Sequence, residues 1–286
     1  MTALPIHPTA IIDPTAELGV DVLIGPYCIV GPNCKVGDGS VLTSHVVLEE
    51  NVTLGAGCEV SSFAALGGKP QDLGFKGETS YVEIGDGTHI RESVTVHRAS
   101  GEGNVTRVGK KCLLMATAHV AHNDVIGDEV ILANGVILAG YVTVGDYSFI
   151  SGQNVVHQHV QIGSHVIMSG SSGTRQDIPH YAMCAGRPAE IRGINKVGLR
   201  RRGFSAEQRK NVQRAYDLLW FSGLQMAEAM ETVQVELGHD EHVVRLLDFV
   251  KHSKRGIRRV TLNDRSRNED RNSGESSQES VEAGAL

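Results

Sequence analysis

The sequence predicts a mainly β fold, a parallel β-helix of hexapeptide repeats carrying a C-terminal α-helical domain, on three observations. Apolar residues stand six apart at Ile6, Ile12, Leu18, Ile24, Val30, Val36, Leu42, Leu48, Leu54, Val60 and Leu66, and again from Val108 through Leu114, Val120, Ile126, Leu132, Leu138, Val144, Ile150, Val156 and Ile162 to Met168. A second row two residues earlier holds small or β-branched residues such as Ala16, Val22, Val46, Ala64, Ala118 and Val130. Glycine recurs at eighteen, as Gly19, Gly37, Gly55 and then Gly109, Gly127, Gly145, Gly163. Three hexads per turn describe a triangular coil whose successive layers stack at about the 4.8 Å spacing of neighbouring strands.

Composition agrees. Aromatic residues make up only 5% of the 286, whereas glycine reaches 33, which disfavours a core built on large rings. The formal net charge of -6 implies no general attraction to nucleic acid. Five cysteines form no C-x-x-C pair, and Cys28, Cys34, Cys58 and Cys112 fall in the small inward row, where they read as fillers rather than as redox or metal groups. A reducing compartment follows. The N-terminus lacks the pattern of a signal peptide and no segment reaches the ~18 to 20 apolar residues of a membrane span, so a cytoplasmic protein is expected.

Taken in order, the coil is expected over 1–186. Two polar, glycine-rich segments, 67–83 and 98–107, break the hexads and read as loops projecting from the rod. A connector and helical domain is expected over 187–263. Ser205 and Gln208 resemble a capping box opening a helix through about Phe221; Met226, Met230, Val233 and Leu237 mark a second helix; Asp240 caps a third. Residues 264–286 are polar, with few large apolar side chains, and read as a disordered tail.

Chemistry concentrates around Ala116–Gly127. His119 and His122 flank the inward Val120 and His157 follows Val156, so all three are expected on the outer surface. His122 and His157 are one residue short of two coils apart, which puts them near one edge about 9 to 10 Å apart along the axis. Gly140 is eighteen after His122 and stacks over it, a plausible pairing of a general base with a bare backbone donor for an oxyanion. A metal shared among His119, His122, His157, His159 and His165 is the competing sharp reading, and no metal or other cofactor is expected. Asp124 occupies the small inward row, where a carboxylate is costly unless paired; Thr106, eighteen earlier, is the expected donor. Asn154 breaks the same row, and both read as local packing. Arg187, Arg192, Lys196, Arg200, Arg201 and Arg202 form a basic cluster where rod meets helices, suited to phosphates or an acidic partner.

The stretches IGPYCIVGP, SHVVL, PQDL, VEIGDGTHIRESVTVHR, LLMATAHVAHN, ILANGVILAG, VVHQH, GRPAEIRGIN and GLRRRGFS closely resemble those of the acyl-carrier-protein:UDP-N-acetylglucosamine O-acyltransferases, across Ile6 to Arg259. That resemblance implies a left-handed coil, a homotrimer with sites between subunits, and transfer of a 3-hydroxyacyl chain from acyl carrier protein to the 3-position of UDP-N-acetylglucosamine, the first step of lipid A biosynthesis. It implies His122 as general base and the Gly140 amide as oxyanion donor. It also implies a cleft lined by His97, His119 and His157, nucleotide-sugar contacts from Gln71 and Asp72, and Asn195, Arg201 and Arg202 near the UDP phosphates or the carrier arm. Gly170 falls near the family's acyl-chain ruler. Tyr141 replaces a usual sugar-contacting histidine, Gly74 a usual lysine and Asp124 a common cysteine. Transfer to a 3-amino sugar, giving an amide, and a non-catalytic carrier-binding scaffold are the alternatives.

Overall fold

A computed structural model describes residues 5–258. The chain winds as a triangular rod whose short strands line up in three sheets of nine, eight and ten described strands, parallel throughout except for the last strand of the third. The first face runs from Ile11–Ile12 through His119–Val120 to Gly173–Thr174, the second from Glu17–Leu18 to Gln161–Ile162, and the third from Leu23–Ile24 to Ala182–Ala185 and Glu190–Ile194. In-register neighbours such as Ile29↔Val47 and Ile131↔Phe149 confirm the eighteen-residue coil.

The hexad explains the local structure. The sixth-position residues point inward and pack as one column per face; Leu48, Leu66, Leu114, Val120, Leu132 and Leu138 have no exposed surface. The following residue is often glycine because the next coil lies directly against it. A Cβ at Gly25 would sit 1.3 Å from the Thr43 carbonyl oxygen. The turn residue in left-handed conformation is frequently Asn, His or Tyr, and their rings stack coil upon coil, as Tyr27, His45 and Phe63 do at 5.1 and 5.0 Å. That stacking offsets the cost of a non-glycine residue at positive φ. All five cysteines are buried and free, four of them as the inward row requires.

The structure shortens both predicted loops. Strands Ala65–Gly68, Tyr81–Ile84 and Val105–Val108 extend into them, leaving projections at 69–80 and 98–104. In pairing terms, Leu66 aligns with Val96 and Val96 with Val120, so thirty and twenty-four residues replace eighteen, insertions of twelve and six. Both leave the rod at the corner between the first and second faces.

Past the last coil, Ala182–Ala185 and Glu190–Ile194 form an antiparallel hairpin where the sequence suggests only a connector. Among the described residues four α-helices follow: α1 (Lys196–Arg201), α2 (Ala206–Tyr216), α3 (Met226–Leu237) and α4 (Glu241–His252). The first was not foreseen, because six residues carry too little periodicity. Ser205 and Gln208 make the capping box of α2, which passes into one π-helical turn at Asp217–Phe221. Asp240 caps α4 through the amides of His242 and Val243. Leu199, Val212, Tyr216, Leu219, Val233 and Leu246 bury these helices against the rod's end. Among the described residues no helix is long and apolar enough to cross a membrane. The tail expected at 264–286 lies outside the described residues.

Candidate active site

The two insertions stand one above the other at a single corner, directly beneath His122. Counting along that corner, Arg98, His122, Gly140 and Gln158 occupy equivalent positions in successive coils. Arg98 is buried, pairs with Glu50, and holds the loop by its Gly67 carbonyl contact (3.3 Å) and by lying 5.5 Å from the Phe75 ring centre. The loops therefore wall the site rather than hang free.

His122 departs from the expected outward exposure: only 7% of its surface is accessible. Asn123, Tyr141 and Gly140 lie against its ring. The Asn123 amide is locked on Ser100, with Oδ1 accepting from the Ser100 N–H (2.9 Å) and Nδ2 donating to the Ser100 carbonyl (3.0 Å). That pairing fixes which amide atom is oxygen, and the oxygen lies 2.9 Å from His122 Nδ1. Nδ1 must then carry the proton, which leaves the Nε2 lone pair free. Nothing in the sequence singled out Asn123; its part depends on Ser100, twenty-three residues earlier.

The free nitrogen faces Gly140. A Cβ on that residue would come within 2.5 Å of His122 Nε2 and Cε1, so a side chain is excluded by the ring itself. Gly140 also stands at the turn position where Pro8, Pro14, Pro26 and Pro32 occur, a position whose N–H the coil ladder does not use. The flanking amides do pair, Ala139 with the Val156 carbonyl and Tyr141 with that of His122. An imidazole nitrogen with a free lone pair and a glycine whose amide the ladder leaves unengaged thus meet at one spot.

Two further histidines line the same edge. His119, half-buried, hydrogen-bonds Thr95 Oγ1 through Nδ1 at 2.7 Å and meets His97 edge-on at 4.8 Å. Burial, then the neighbouring His97 and His122, lowers the His119 pKa to about 4; burial and His122 lower that of His97. Tyr141 lies edge-on to His122 at 5.3 Å and stacks on His159 at 4.7 Å. From the longer loop, Asp72 accepts from the Gly74 amide (2.8 Å) and the Ser100 hydroxyl (2.8 Å), which hold its carboxyl below the usual range, and it lies within electrostatic reach of His122. Gln71 is exposed beside it.

Asp124 corrects one expectation. Thr106 does not donate to it; the Thr106 hydroxyl oxygen instead accepts the Asn123 amide at 2.8 Å. The fully buried Asp124 carboxyl accepts from Ala121 N–H (2.9 Å) and Val142 N–H (2.8 Å), and burial pushes its pKa well up despite these bonds. Asn154 does a similar job thirty residues on, at the corner that leads into the first face, accepting from the Ser172 amide at 2.9 Å.

His157 stands beside Gln158 on the His122 edge, two coils on as the spacing predicts, and the other candidates lie at other corners. His157, exposed, is 3.2 Å from Arg255 Nη2 and borders an apolar groove of about 840 Å³ on the first face, lined in part by Ala139, Val155, Gly173 and Ala189. Gly170 is exposed at the corner between the third and first faces. Asn195 caps α1 through the Gly198 amide and donates to the His165 carbonyl (2.9 Å). Arg202 pairs with Glu129 and lies 4.4 Å over Tyr147, at the corner between the second and third faces; Arg201 is exposed beside it. No group of three or more His, Cys, Asp or Glu suited to a metal ion occurs among the described residues.

Comparison with known proteins gives a consistent result. Residues 177–258 match the family described as UDP-N-acetylglucosamine O-acyltransferase, domain 2, and residues 15–50 match the bacterial transferase hexapeptide repeat. The fold is similar to the structure of LpxA from Acinetobacter baumannii, with 40% identity and a TM-score of 0.86 over 89% of this chain and 100% of that one. LpxA of Bacteroides fragilis, a UDP-N-acetylglucosamine acyltransferase, gives 37% and 0.87 over 89% and 100%. The Francisella novicida UDP-N-acetylglucosamine acyltransferase gives 34% and 0.86 over 91% and 96%.

Proposed function

The chain belongs to the UDP-N-acetylglucosamine O-acyltransferase family of left-handed β-helical acyltransferases, and on that premise we propose that it transfers a 3-hydroxyacyl chain from acyl carrier protein to the 3-hydroxyl of UDP-N-acetylglucosamine, opening lipid A biosynthesis, with His122 as general base. The single observation that carries this assignment is the meeting of His122 Nε2 with Gly140. Nε2 removes the proton as the hydroxyl oxygen attacks the thioester carbonyl. The Gly140 amide, left unengaged by the ladder, receives the oxyanion. Collapse breaks the C–S bond, and the imidazolium returns the proton to the departing carrier thiolate. Asn123 Oδ1 holds the Nδ1 proton throughout, keeping the tautomer and stabilising the imidazolium without a formal charge of its own.

The cleft is completed by neighbouring copies in a homotrimer. Outward residues are largely apolar on the first face (Ile11, Ile29, Ile137, Val155) and the third (Leu23, Leu113, Ile131, Ile167), whereas the second presents Glu17, Lys35, Glu83 and Arg107. Packing the first face of each copy on the third of the next buries both and leaves the polar one in water. In such a ring the His122 corner lies beside the neighbour's second-to-third corner. Asn195, Arg201 and Arg202 of that neighbour then serve the diphosphate or the carrier arm, while Gln71, Asp72, His97, His119, Tyr141 and His157 contact the sugar nucleotide. The apolar groove beside His157 leads the acyl chain towards Gly170. We place the reaction in the cytoplasm, in keeping with five free cysteines.

The test offers purified protein acyl-carrier-protein thioesters of several lengths with UDP-N-acetylglucosamine and its 3-amino analogue, and reads products by mass spectrometry. The expected product is the ester, with His122→Ala and Gly140→Ala each lowering turnover at least 100-fold. An amide product alone would make Tyr141 the mark of a 3-amino acceptor; turnover unaffected by His122→Ala would overturn the assignment.

A further inference from the structure

Coils pass backbone amide hydrogens to the carbonyls of the next, and along the first face the residues after Ile12, Val30, Leu48, Leu138 and Val156 all take part. Glu49 donates to the Leu66 carbonyl at 2.8 Å, Ala139 to Val156 at 3.0 Å and His157 to Thr174 at 3.0 Å. Ala121 is the exception. Its N–H goes to Asp124 Oδ2, and the strands on either side of that gap, His119–Val120 and Ile137–Leu138, keep only the His119↔Ile137 register pair. The replaced rung is the one between the coil of His122 and the coil of Gly140.

The other Asp124 oxygen accepts from Val142, two residues past Gly140. One carboxyl group therefore grips both turns of the site, the one that carries the base and the one that offers the oxyanion donor. The two N–H groups are met by the two oxygens of one carboxyl group. Asn154, at a corner with no reacting group, shows the contrast: its oxygen accepts from Ser172, but its nitrogen donates to the Ser151 carbonyl at 2.6 Å. An amide satisfies that corner, whereas at Ala121 it would set N–H against N–H.

We propose that Asp124 is a positioning residue for the transfer reaction: it substitutes for a backbone rung and fixes the spacing between His122 and the Gly140 amide. This rests on the assignment of His122 and Gly140 made above. The spacing matters because a base and an oxyanion donor act on atoms of one tetrahedral centre, and a displacement of about 1 Å costs on the order of 100-fold in rate.

The experiment compares Asp124→Ala with Asn154→Ala, a matched loss of one buried corner acceptor, and with His122→Ala, each as the full chain with acyl-carrier-protein thioester and UDP-N-acetylglucosamine. Asp124→Ala is expected to lower kcat at least tenfold with KM for the nucleotide sugar within twofold, while Asn154→Ala, with a comparable fall in Tm, keeps kcat within twofold. Should Asp124→Ala not fold, Asp124→Asn is read in its place, since it keeps an acceptor for Val142 and loses the one for Ala121. Loss of activity in His122→Ala with unchanged kcat in the Asp124 variant would overturn the proposal alone, as would an equal loss in Asn154→Ala. Retained activity in His122→Ala would remove the assignment beneath it.

Discussion

Four buried or half-buried ionisable side chains show how this fold treats charge. His119, His165 and His180 are pushed to about 4, 4 and 3, burial being the largest cause in each case. His180 Nδ1 accepts the Ser164 amide (2.7 Å), the role that Asp38, Asp128 and Asp146 play for Val20, Lys110 and Asp128 in lower coils. A histidine held neutral in the fold binds its proton more readily when unfolded. Its stabilising contribution is thus complete above pH ~6.5 and is lost as the pH falls towards the folded value. Asp124, shifted the opposite way, contributes oppositely, but the three histidines outnumber it. Tm is therefore expected to fall between pH 6.5 and 4, with a limiting slope near 1.4 kcal/mol per pH unit for each proton taken up. His180→Asn, which keeps an acceptor for Ser164, should flatten that fall in a thermal-melt series; an unchanged slope would show that His180 does not titrate on unfolding.

At the scale of elements, the loops are additions to a rod that closes without them. Removing 69–80 would bring Leu66 and Ile84 to the normal spacing of six, so the coil can continue through the cut. The same excision removes Asp72 and the support it gives Ser100, and through Ser100 the Asn123 amide that orients His122. The deletion variant is expected to keep its far-ultraviolet circular dichroism spectrum while losing at least 100-fold in transfer activity. Loss of the β spectrum would mean that the loop holds the rod together. The hexads made the rod legible residue by residue, because a period of six with inward apolar side chains admits few architectures. The loops were legible only as interruptions, and three of their four bounds moved inward by two or three residues because those ends still pair as strands. Asn123, Ser100 and the Ala121 rung left no trace in the periodicity, since each acts through a partner at an insertion-dependent distance. His122 appeared exposed for the same reason: position within a hexad says which way a side chain points, not what the neighbouring turns lay against it.

For the whole molecule, the asymmetry of the three faces is the organising fact. Two apolar faces and one polar face suit a closed ring of three copies, and Ile29 lies on the first face well below the site. Ile29→Arg is expected to shift the mass measured by light scattering from trimer towards monomer and to reduce activity most at low protein concentration. A trimer of unchanged mass would sink the packing of first face on third.

By itself the sequence determined the β-helix, its inward columns, the helix caps at Ser205 and Asp240, and the coil-over-coil stacking of Gly140 on His122. All of these follow from spacing along one chain. Only the tertiary structure decided that His122 is buried, which of its nitrogens is free, and what Asp124 holds. Burial, tautomer and the pairing of a buried acid depend on groups brought together from different coils and loops, and no local period records them.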